Sequence, residues 1–114
     1  MATPEDVREL ALALPETTEK PSYGTPGFRV KDKLFARLHP DGESLVLRCD
    51  RTQREAMRDS EPAKFYWTHH YENYDAVLVR IAAVDREELA ALLEMAWFYI
   101  APPRVAAAYE ASSA

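Results

Sequence analysis

"GTPGFRVKDKLFARLHPDGESLVLRC", residues 24–49, decides how the rest of the chain is read. Phe28 and Val30 alternate with Arg29 and Lys31, the period of a strand with one face inward and the other toward water. "KDK" (31–33) reverses the chain, although it lacks the glycine that tight hairpins favour. "LFARLH" (34–39) reads as a second strand, "PDG" (40–42) as a strong turn signal and "SLVLRC" (44–49) as a third strand. Connections this short predict an antiparallel meander. The same stretch holds Arg29, Lys31, Lys33, Arg37 and Arg48, in a chain of formal net charge -5. These cations form either a surface for a polyanion or the solvated face of a small sheet, and the choice sets the function.

On the N-terminal side, Thr3 reads as a helix N-cap, Pro4 as the first helical residue and Asp6 as the third position of the first turn. Val7, Leu10, Ala11 and Leu14 then mark one buried helical face, and Pro15 stops the helix. "PETTEKPSYGTPG" (15–27) is rich in breakers and reads as a loop. On the other side, Asp50 and Gln53 suggest a capping box opening a short helix, "RTQREAMRD" (51–59). "FYWTHHYENYD" (65–75) is aromatic and irregular, beginning as a strand near residues 65–67, and residues 76–81 are the most apolar strand. Asp85 caps a last long helix, with Glu87 and Glu88 favourable against its macrodipole. Leu89, Leu92, Leu93, Ala96, Trp97 and Ile100 form its wide apolar stripe. "APP" (101–103) breaks it, leaving a short frayed turn or two over 103–110. The order is α-β(3)-α-β(2)-α, an α+β class. The N- and C-terminal helices are expected to pack together on one face of an antiparallel sheet.

A chain of 114 residues fits a single domain, 1–114, with one ordinary core. The longest apolar run, 95–101, is far below the roughly 20 residues of a membrane span. "MATPEDVREL" has no apolar leader region, and Cys49 stands alone, so a reducing cytoplasm is expected. Cys49 itself reads as a small buried hydrophobe. Charge is uneven: residues 20–58 hold nine basic and five acidic side chains, against five and fourteen elsewhere. A local positive field on an acidic protein follows if that clustering survives folding.

"ALPETTEK", "GTPGFRVKDKLFARL", "SLVLRC" and the closing "EELAALLEMAWFYIA", in this order over nearly the whole chain, resemble the YjbR/MmcQ family. The resemblance implies a fold like that of type III secretion chaperones, also described as a double-wing DNA-binding motif, with DNA as a partner. Many members carry a tryptophan at the start of the fifth strand. Here "ENYDAVLVRI" places Tyr74 nearest that position.

Two candidate sites follow. Arg29 and Lys31 on one strand face, with Lys33, Arg37 and Arg48 and an extension to Lys64, would meet phosphates with little sequence preference. Alternatively, Tyr66, Trp67, His69 and Tyr71 would line a pocket for a protein or small molecule, or stack unpaired bases. Phe65 and Trp67 are expected to point into the core. Adjacent His69 and His70 would face opposite sides of a strand, with no third ligand at metal spacing, so neither metal nor cofactor is expected. Glu72 and Asp75 stand near the histidines as paired loop charges. With only three glycines and no nucleophile–base order, no catalytic residues are expected and the chain reads as a non-enzymatic binding module. It is expected as a monomer or weak homodimer, away from membranes.

Overall fold

The computed structural model describes residues 1–113; Ala114, the last residue of the expected domain, lies outside them. Thr3 opens the first helix, α1 (Pro4–Leu12), through a reciprocal box. Its Oγ1 accepts from the Asp6 N–H at 3.2 Å while the Asp6 carboxylate accepts from the Thr3 N–H at 3.0 Å. That N–H, together with Arg86, holds the Asp6 carboxyl below its usual range. The chain continues through β1 (Thr17–Ser22), β2 (Thr25–Val30), β3 (Lys33–Leu38), β4 (Ser44–Arg48) and α2 (Arg51–Ser60). It closes with β5 (Phe65–Tyr66), β6 (Ala76–Arg80), α3 (Arg86–Ile100) and α4 (Pro103–Ser113). All neighbours in the sheet are antiparallel, in the order β1-β2-β3-β4-β6-β5.

The loop expected over 15–27 is corrected: it contains β1, so four strands precede α2 rather than three. "TTEKPS" lacks an apolar alternation because β1 is an edge strand, half of its residues exposed, and pairs only with β2. Pro21 is tolerated there because an edge strand leaves one side of its backbone unpaired. Tyr23 and Gly24 make the turn with φ of 51° and 82°, the positive values that a two-residue hairpin of this hand requires. Lys31 and Asp32 turn the next hairpin in the same way, with φ of 49° and 66°. Lys31 therefore belongs to the turn and does not share a strand face with Arg29. Its Nζ pairs with Glu16 at 2.7 Å.

Between β2 and β3 the register slips: Phe28 faces Ala36, but Arg29 faces Leu34. Phe35 is the extra residue of this bulge, and both Phe35 and Ala36 enter the core. With them on the same side lie Phe28, Val30, Leu45, Leu47, Val77 and Val79. α3 lies against β3 and β4 and α1 packs on α3, covering this face with Val7, Ala11, Leu89, Leu93, Ala96 and Trp97. Each large side chain so buried contributes about 1.5–3 kcal/mol. The Trp97 indole donates to the Pro15 carbonyl at 3.0 Å, joining the end of the first helix to the third. Cys49 is fully buried here, and burial pushes its thiol up to about 11. The frayed turns expected over 103–110 are a complete helix, secured by Val105 and by Tyr109, whose ring meets Trp97 at 5.1 Å. Among the described residues, no helix is long and apolar enough to cross a membrane.

Among the described residues, no long helix covers the other face of the sheet. Val46, Leu78, Ala76 and Tyr71 form a second, smaller cluster there, under the loop that joins β5 to β6.

Candidate functional site

Antiparallel register places one row of side chains across all six strands of the open face: Lys20, Gly27, Arg37, Val46, Leu78 and Tyr66. The neighbouring rows add Arg29 beside Leu34, Arg48 beside Ala76, and Arg80 beside Ser44. The charged residues that the strands send to this face are thus all basic. The single strand carboxylate, Glu19, lies opposite Phe28 on the helix side, where Arg8 meets it at 2.8 Å.

A trough of about 830 Å³ opens in this face. Leu34, Val46 and Ala76 form its apolar floor, Arg37 and Arg48 stand in it, and Tyr71 lines one bank. Gly27 allows Leu34 to lie low: a Cβ there would meet Leu34 Cδ1 at 3.1 Å and Ser22 Cβ at 3.0 Å. Arg37 donates from Nε and Nη2 to Thr25 Oγ1 at 3.3 and 3.2 Å, and from Nη1 to the Tyr71 hydroxyl at 3.2 Å. Of the five N–H groups of a guanidinium, these bonds leave two. Arg48 gives only its Nε, to the Asp75 carbonyl at 3.1 Å. Among the described residues, no carboxylate lies within 4.0 Å of Arg29, Lys33, Arg37 or Arg48. Arg37 faces Val46, so Arg48 is its diagonal neighbour across the strand pair, about 7–8 Å away at the backbone.

The aromatic bank rests on an arginine of the short helix α2. Arg54 of α2 is buried, which draws its pKa below the usual arginine value. Its Nη1 donates to the carbonyls of Tyr71 and Ala76 at 2.9 and 2.7 Å, and its Nη2 to that of Glu72 at 2.7 Å. The guanidinium lies 4.0 Å from the centre of the Trp67 ring, as does that of Arg58. The loop from 67 to 76 is therefore tied at three carbonyls and braced by an indole. Within it, residues 69–71 form a 3₁₀ turn rather than a strand. His70 lies edge-on to Tyr71 at 4.9 Å and stacks on Tyr74 at 5.8 Å.

The structure brings the two expected sites together, but only in part. Arg37, Arg48 and Tyr71 meet in the trough. Arg29 lies on the same face, outside the trough lining, and Lys33 begins β3 beside the Lys31 turn. Lys64 does not extend the patch, being held by Glu61 and Glu88. Tyr66 turns to Ser44, with a hydroxyl contact of 2.6 Å, and stacks under Arg80 at 4.1 Å. Phe65 is in the core as expected, whereas Trp67, expected there too, is only partly buried and packs against both apolar clusters. His69 is 97% exposed at its side chain and pairs with Glu72 at 3.1 Å, away from the trough. Sequence reasoning missed Leu34, Val46, His70 and Tyr23 as lining residues. The period-2 pattern of β3 and β4 carried the first two; Tyr23 and His70 arrive through loop geometry, which no local pattern announces.

The family model named YjbR matches residues 12–98. The chain belongs to the YjbR family. The uncharacterized proteins Mb2600 of Mycobacterium bovis and Rv2570 of Mycobacterium tuberculosis are 31% identical to this chain, each alignment covering 99% of both chains. In structure, the chain is similar to the Deinococcus radiodurans protein DR2400, whose crystal structure is described by the domain name DUF419. That likeness has a TM-score of 0.71 at 23% identity, covering 88% of this chain and 79% of the other. At this identity the likeness bears on the fold alone.

Proposed function

We propose that this YjbR-family protein is a non-catalytic binding module that holds an anionic ligand in the trough of its open sheet face. The observation that carries the reading is the pair Arg37 and Arg48, which share an apolar-floored concavity and have no carboxylate partner among the described residues. Two cations held close repel one another, and an oxyanion between them relieves that cost in a setting drier than bulk water. Their unused N–H groups suit the bidentate geometry in which guanidinium binds carboxylate or phosphate. The volume falls within the range of roughly 300–1,000 Å³ typical of ligand sites.

Duplex DNA on the basic strands is the second reading, and the all-basic charge of the strands on the open face favours it. Its wings are less suitable. Lys31 is already paired with Glu16, and the β3–β4 turn carries Asp41 and Glu43, which repel phosphate.

An amide-detected NMR titration at low salt decides between them. Small aryl carboxylates and organic phosphates are expected to shift Leu34, Val46, Tyr71 and Ala76, and an Arg37→Met/Arg48→Met double variant that keeps its folded spectrum is expected to lose the response. Shifts confined to Lys31, Asp32 and Lys33, appearing only with duplex DNA, would overturn the trough reading.

A further inference from the structure

We infer that the ligand of the trough is a nucleoside phosphate, with its phosphate between Arg37 and Arg48 and its base against the tyrosines of the banks. The inference rests on the anionic-ligand reading above and adds the chemical class. The charge is the first argument. Two uncompensated guanidiniums match a phosphate monoester, which carries about -1.5 to -2 near neutral pH, better than a single carboxylate. The banks are the second. The described residues include three exposed tyrosines, Tyr23, Tyr74 and Tyr99, and two of them flank this trough. Tyr23 is 91% exposed at the β1–β2 turn, with its ring 5.5 Å from the Arg37 guanidinium. Tyr74 is 56% exposed on the opposite bank and is backed by His70. Water-exposed rings beside cations offer π-faces to a flat heterocycle, an arrangement that tolerates any base. The third argument is the polar part of the lining. Thr68 and His39 also line the trough and supply polar groups suited to a sugar. A bare anion would use neither bank.

A nucleoside phosphate can arrive as a free mononucleotide or as one unit of a single strand. A duplex keeps its bases stacked inside and away from the tyrosines.

The test is a calorimetric titration of the full chain at low salt with adenosine 5′-monophosphate, ribose 5-phosphate, adenosine, a single-stranded tetranucleotide and a short duplex. Adenosine 5′-monophosphate is expected to bind. Loss of either the base or the phosphate should weaken binding about tenfold or more. Tyr74→Ala, a change at an exposed side chain, should weaken the mononucleotide by a similar factor while leaving ribose 5-phosphate unaffected. Arg48→Met should weaken both. A tetranucleotide tighter than the mononucleotide, and still sensitive to Tyr74→Ala, identifies the strand as the source; equal affinities identify the free nucleotide. Ribose 5-phosphate binding as tightly as the nucleotide would overturn the inference yet leave the anion site standing. Binding of the duplex in preference to the single strand would overturn it as well. If no phosphate binds while a benzoate does, and Arg48→Met abolishes that, the nucleoside phosphate is excluded and the anionic-ligand reading survives. Should none of these anions bind, both readings fall.

Discussion

Burial acts on both Arg54 and Cys49, with opposite consequences for their protons. Arg54 spends three of its N–H groups on the carbonyls of Tyr71, Glu72 and Ala76, adding to the Tyr74 N–H that the Tyr71 carbonyl also accepts, while its Nε is buried without a partner among the described residues. Arg54→Met keeps much of the stem's packing and removes the fork. Hydrogen bonds from a charged donor contribute about 1.5–3 kcal/mol each, and they do not add fully, so a loss of about 3–4 kcal/mol is expected in urea unfolding. Amide exchange should accelerate first between residues 68 and 75. A loss below about 1 kcal/mol would show that the bank stands without its anchor. Cys49 responds in the other direction: buried, it keeps its proton, with a folded-state pKa of about 11 against 9.0 for the ordinary thiol. A raised pKa means that the folded state binds the proton more tightly. Its contribution is therefore fully present below pH 9 and is lost as pH rises through 11. Two units correspond to about 2–3 kcal/mol. Stability measured at pH 8 and pH 11 should fall by about that much more in the natural chain than in Cys49→Ala, and equal losses would remove the thiol from the account.

Among the elements, those that bury a regular face were legible and those defined by their neighbours were not. Phe28 and Val30, Leu45 and Leu47, Val77 and Val79 announce β2, β4 and β6 by alternation, and all six are buried as that pattern requires. The stripe on α3 is equally plain, and Leu89, Leu93, Ala96 and Trp97 occupy the centre of the core. Leu93→Ala should open a cavity there and cost about 2–5 kcal/mol in thermal or denaturant unfolding. An unchanged midpoint would move the core elsewhere. In contrast, β1 owes its existence to pairing with β2 and to a turn through Tyr23 and Gly24, so its own six residues carry no signature. The bank of the trough has the same character. Its conformation is set by Arg54, which is 17 residues from Tyr71 and 22 from Ala76. Nothing local in the sequence distinguishes Arg54 from Arg51 or Arg58, so that link was not legible. The basic residues on the strands were visible from the start; which of them keep their charge uncompensated depends on Glu16 and on the turn that carries Lys31.

Over the whole molecule, the formal net charge of -5 opposes binding of any polyanion, while the open sheet face attracts it. The outcome depends on distance. Beyond the Debye length of about 8–10 Å at ordinary salt, phosphates see little of either field, so only cations in contact count. Of the basic residues first singled out, Lys31 is neutralised by Glu16, leaving Arg29, Lys33, Arg37 and Arg48 without a carboxylate among the described residues. A duplex lying across this face would therefore touch at most a few phosphates, and its binding constant should fall with salt on a logarithmic slope no steeper than about 4. A measured slope well above that would mean contacts beyond these four residues, drawing on Lys20 or Arg80 of the same face or on Arg51. Reversal of Arg29 to glutamate should flatten the slope by about one without shifting the thermal midpoint, since its side chain has no hydrogen-bonded or ionic partner among the described residues. Reversal of Lys31 should behave differently. It sets two carboxylates against one another at Glu16 and strains a turn whose φ is already positive, so the midpoint should drop while the slope stays the same. The two reversals together separate a surface that touches phosphate from a turn that only holds the hairpin. If Lys31→Glu changes the slope as much as Arg29→Glu does, the turn itself reaches DNA and the wing, rather than the trough, is the contact.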